Sequence, residues 1–123
     1  MSEAEFFLEN ALDFPLSESD YQIIKDNLEA IDRDGDGSII MGLKNHPSDV
    51  RLIQACKEGD TFRVDAAKES PGGKPEMYAL QVATFMEAAD ALKDVCVSGR
   101  DPASGSWENV TEELFRASHS STF

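Results

Sequence analysis

The chain has 123 residues, 41% of them hydrophobic, with seven Phe, one Trp and two Tyr, and a formal net charge of −13. That length fits one domain, and the apolar content supplies one ordinary core, which excludes global disorder. The charge excludes a nucleic-acid-binding face and binding to anionic lipid, and −9 of it falls in the first 36 residues, where eleven acids meet only Lys25 and Arg33.

Read in chain order, Ser2 and Glu5 form a capping box, and Ala4, Phe7, Leu8 and Ala11 share one helical face. This first helix should stop near Leu12, because Phe14 precedes Pro15. The same acidic, amphipathic start lacks the basic region and apolar run of a secretion signal. No segment approaches ~18 apolar residues, so no membrane span is expected and the protein reads as soluble and cytoplasmic. Ser17 with Asp20 opens a second helix, in which Tyr21, Ile24, Leu28 and Ile31 recur at helical spacing. Residues 32–37 read as loop, and 38–40 as a short extended piece.

Ser48 looks like an N-cap and Gly59 like a stop, with Leu52, Ile53 and Cys56 on one face between them. A short helix is expected there, and a strand over 50–56 turning at "KEGD" is the alternative. "DTFRVDA" alternates through Phe62, Val64 and Ala66 and reads as a strand. A long helix should follow Pro75, since Tyr78, Val82, Phe85, Ala89, Leu92 and Cys96 step by four and three, with Gly99 at its exit. Ser106 should cap a last helix bearing Trp107, Val110, Leu114 and Phe115. The predicted fold is a single, mainly α domain over 1–117, with four to five helices, a short two-stranded element and a frayed tail over 118–123. α+β is the alternative.

The segment "DRDGDGSI" places Asp32, Asp34 and Asp36 on alternate positions, followed by Gly37, Ser38 and Ile39. Carboxylates so spaced can converge on one cation if the backbone wraps round it, and a glycine at the sixth position permits the bend. This stretch resembles the first eight positions of an EF-hand calcium loop, preceded by helix positions Leu28 and Ile31. The resemblance covers residues 17–43. It implies Ca2+ as the ligand, with Asp32, Asp34 and Asp36 giving side-chain oxygens and Ser38 its carbonyl. The twelfth position is Leu43 where the family has a bidentate glutamate, and Gly42, Asn45 and Pro47 disfavour the exiting helix. The implied affinity is therefore weak, at the ~10⁻⁴–10⁻³ M end of the calcium range. The strand at Val64 could pair with Ile39, as sister loops do.

Catalytic signals are thin. His46 and His119 are the two histidines, and no Cys or His pair has zinc spacing. Cys56 and Cys96 read as buried small hydrophobes. The expected function is a small, acidic, non-enzymatic binding module that holds calcium through one EF-hand-like loop. The alternative is a metal-independent acidic module, of the inhibitor, immunity or nucleic-acid-mimic type, that covers a basic protein surface.

Overall fold

Apolar residues at every second position through 39–43, 53–55, 62–66 and 78–82 dictate strands with one buried face, and a sheet follows. A computed structural model describes residues 11–69 and 72–112. In chain order the elements are β1 (Leu12–Asp13), α1 (Glu18–Asp34), β2 (Ser38–Lys44), β3 (Val50–Glu58), β4 (Thr61–Lys68), β5 (Glu76–Val82), α2 (Phe85–Cys96), a 3-10 turn (Pro102–Ser104) and β6 (Glu108–Asn109). The sheet order is β1-β2-β3-β4-β5-β6. β1 pairs parallel with β2, and every other pairing is antiparallel.

Register shows how the core is laid down. One inner row runs Ile39, Ala55, Val64, Leu80, and the next runs Met41, Ile53, Ala66, Tyr78. α1 lies against β2 and β3, α2 lies against β4 and β5, and the helices touch each other. Ile24 and Leu28 of α1 and Ala88, Leu92 and Val95 of α2 close over these rows in one cluster. The opposite face carries Ile40, Gln54, Asp65 and Ala79 in one row and Gly42, Leu52, Ala67 and Met77 in another.

The mainly helical expectation is therefore wrong: the fold is α+β, a six-stranded mixed sheet with two α-helices among the described elements. Two misreadings account for it. Residues 50–58 form a strand, not a helix, so Ile53 faces the core while Leu52 and Cys56 point to the other face. Gly59, at φ +63, sits in the two-residue turn to β4 and ends no helix. The second is the long helix expected after Pro75. Its first part is β5, and the chain breaks at Thr84, whose backbone is extended and whose side chain accepts from Glu87 N. Thr84 caps the start of α2, which spans 12 residues: its hydroxyl accepts from Glu87 N and donates to Glu87 Oε1.

Ile39 and Val64 do not pair, since β3 separates them and Ala55 partners both. α1 starts at Ser17 as expected but runs three residues past Ile31, to Asp34. Around 106–112 the chain makes β6, with Thr111–Glu112 helical after it. The first expected helix (apart from Ala11 and Leu12), the rest of the last one and the tail over 118–123 lie outside the described residues.

Phe62 is fully buried at the centre of this packing. Phe62→Ala should cost about 3–5 kcal/mol in chemical denaturation. Ile23, 50% exposed on α1, should lose no more than ~0.5 kcal/mol as Ile23→Ala.

Candidate functional site

Asp32 and Asp34 lie in the last turn of α1, Asp36 lies in the three-residue turn beyond Gly35, and Ser38 opens β2. Side chains two apart on a helix project about 200° from each other, so Asp32 and Asp34 diverge. Asp32 is also engaged: its Oδ1 takes Lys57 Nζ at 2.8 Å. Leu43, at the twelfth position, is 3% exposed in the core of β2, where an EF-hand would have its exiting helix. The helix and loop expected over 17–43 are thus a helix, a short turn and a strand. The described residues contain no group of three or more His, Cys, Asp or Glu that could hold a metal ion.

A second gathering of ionisable groups lies where β4, β5, the β2–β3 connection and the segment after α2 meet. Lys68 Nζ reaches Asp101 Oδ1 at 2.7 Å and lies 5.9 Å over the Tyr78 ring. Burial raises the Asp101 pKa, but the bonds from Lys68 and Ala103 N–H outweigh it and hold the carboxyl below its usual range. Tyr78 donates to Glu76 Oε1 at 2.8 Å, and that bond, with burial, pushes the phenol up to about 12. His46 is 6% exposed and spends both ring nitrogens on backbone, at Val95 O and Ser48 N. Neither nitrogen is left to move a substrate proton. The two thiols are equally poor nucleophiles. Burial, then Glu58 and Asp65, raises Cys56, and burial pushes Cys96 up to about 12.

The remaining feature is the distribution of charge. Three sheet cations sit in internal pairs: Lys57 with Asp32, Lys68 with Asp101, and Arg63 with Asp65 at 2.9 Å. Lys57 also lies 5.0 Å over the Phe62 ring. Meanwhile Glu18, Asp26 and Glu29 of α1, and Glu87, Asp90 and Asp94 of α2, are exposed on the solvent side of the helical layer. The cations exposed there are Arg33, Lys93 and, just beyond α2, Arg100, which pairs with Asp94 at 3.7 Å; Lys93 leans over Tyr21 at 5.6 Å. Ile23 and Met86 are the large apolar side chains exposed on the same layer. The sequence showed the acids of this layer. The internal cations were not seen, although reading 50–58 as a strand would have put Lys57 on the same face as Ile53 and Ala55.

Leu43→Glu now has a definite consequence. It would bury a carboxylate in the core instead of completing a cation shell, and should cost about 3 kcal/mol or more in urea melts without creating a calcium response. Comparison with known proteins finds no matching family model, no matching curated protein and no matching solved structure.

Proposed function

We propose that the chain is a non-enzymatic, acidic protein-binding module that meets a basic protein surface through its helical layer. The supporting observation is the separation of charge: three cations of the sheet, Lys57, Arg63 and Lys68, are neutralised by internal pairs, while carboxylates of α1 and α2 stand in solvent. A field left unbalanced on one layer steers a cationic partner and repels nucleic acid. The fully engaged His46 and the protonated thiols support a non-enzymatic role.

A photo-reactive amino acid placed at Gln22 or Glu29, irradiated in a lysate of cells that make the protein, tests this reading. Adducts should form from these helix positions with a basic protein. They should weaken as salt rises from ~0.1 to ~1 M, which shortens the screening length from ~10 to ~3 Å. Asp26→Lys with Glu29→Lys should abolish them. Adducts that arise only from Gln81, on the sheet, or that ignore salt would count against the helical layer.

This reading needs no metal. A calcium loop over 32–43 would require the last turn of α1 to unwind and Asp32 to leave Lys57. Calcium at ~10 mM should therefore leave the melting temperature and the amide signals of residues 32–40 unchanged. A ~1 mM site would instead add about 1.4 kcal/mol of stability and shift those signals.

A further inference from the structure

The β2–β3 connection is tied down by one buried histidine. A backbone N–H can only donate, so the 3.0 Å contact from Ser48 N requires His46 Nδ1 to be the acceptor. Nε2 then carries the proton and donates to Val95 O on α2 at 2.8 Å. The ring also meets Phe14 edge-on, with centroids 4.9 Å apart. One neutral tautomer thus joins three parts of the fold: the connection itself, α2, and the segment after β1.

Two residues of the connection, Asn45 and Asp49, adopt left-handed backbone, at φ 66 and 61, a region that Asn and Asp tolerate better than other side-chain-bearing residues. Asp49 N donates to His46 O, Glu69 N donates to Asp49 O, and Asn45 Nδ2 donates to Asp13 Oδ1. A cavity of about 290 Å³, lined by Lys44, Asn45, His46, Asp49 and Arg51, lies beside the ring.

We propose that residues 45–49 form an acid-released latch, in which protonation of His46 at Nδ1 expels the Ser48 N–H and frees the β2–β3 connection from α2 and Phe14. Adding that proton sets two N–H groups head to head and leaves a cation in a buried pocket. The charged groups facing the ring are Asp49 on its own connection, Asp101 after α2 and Lys68 on β4. Burial lowers the His46 pKa; the Val95 carbonyl and the two carboxylates oppose it, Lys68 adds to it, and the net shift is downward. The native state therefore takes the proton less readily than the unfolded chain. The contribution of the latch to stability is complete above the ordinary histidine value of ~6.5 and is lost as pH falls below it. Asp101, a carboxylate held low, is lost only below ~4, so the two windows are separate.

The test is folding stability of the full chain between pH 7 and 5, for the native protein and for His46→Asn, whose Oδ1 can accept from Ser48 N–H but cannot titrate. The native folding constant should fall by up to about tenfold per pH unit below ~6.5, and the variant should be flat. A flat native profile, or an undiminished slope in the variant, overturns the latch. If His46→Asn does not fold, ring-nitrogen NMR of the native protein decides. The latch requires the Nε2–H tautomer at pH 7 and a midpoint below ~6.5 accompanied by loss of the Ser48 amide signal. An ordinary midpoint with an unmoved Ser48 amide overturns it.

Discussion

Burial of one face of the sheet beneath two helices is the constraint on which the rest of the structure depends. Ile53, Val64 and Phe62 are fully covered by the layer that Ile24, Leu28, Leu92 and Val95 provide. In a strand the side chains alternate, so once this face is buried the positions of the other residues of β2 to β5 follow, except at the irregularity between Val50 and Leu52 of β3. Lys57 and Lys68 share the parity of the buried residues and emerge at opposite ends of the inner face, where carboxylates must meet them. Asp32 does so from the end of α1, and Asp101 from beyond α2.

Those two pairs connect the core to the charge on the surface. Each fastens a helix terminus, or the segment after it, to the sheet. Each also removes a cation that would otherwise offset the acids of the helical layer. Of the −13 of the chain, α1 and α2 together with the turn at Asp36 carry −7. The segment rich in Asp and Gly, which looks in isolation like a calcium loop, serves in the fold as a helix end and a tight connection. Gly35, at φ 86, caps the helix with its N–H on Ile31 O. Gly37, at φ 124, lies against Ile31, where an added Cβ would come within 3.3 Å of that side chain.

Much of this was legible in the residues where local and tertiary preferences agree. α1 begins at Ser17 because the cap, the acidic first turn and the apolar spacing coincide. β4 was evident because Phe62, Val64 and Ala66 alternate. The reading failed where two periods overlap. Tyr78 and Val82 share a face in a strand as well as a helix, and they line up by accident with Phe85, Ala89 and Leu92 of the helix that follows. The Thr84–Glu87 pair, which marks the true boundary, was present in the sequence but was not read beneath the longer stripe. The EF-hand resemblance rests on a different kind of signal. The spacing of Asp32, Asp34 and Asp36 is local, whereas the partner of Asp32 lies 25 residues away on β3. His46 and Asp101 likewise acquire their roles from contacts that no local pattern records.

The acidic helical layer forms one cooperative unit with the centre of the sheet, held by the core and by the Lys57–Asp32 pair. Native-state amide hydrogen exchange tests this most directly, because it reports the opening free energy of each element separately. The amides of Ile24 to Leu28 in α1 should exchange with the same high protection as those of Ile53 to Ala55 in β3 and Val64 to Ala66 in β4. Rapid exchange in α1 beside a protected sheet would show a helix that docks only loosely, and would contradict the account.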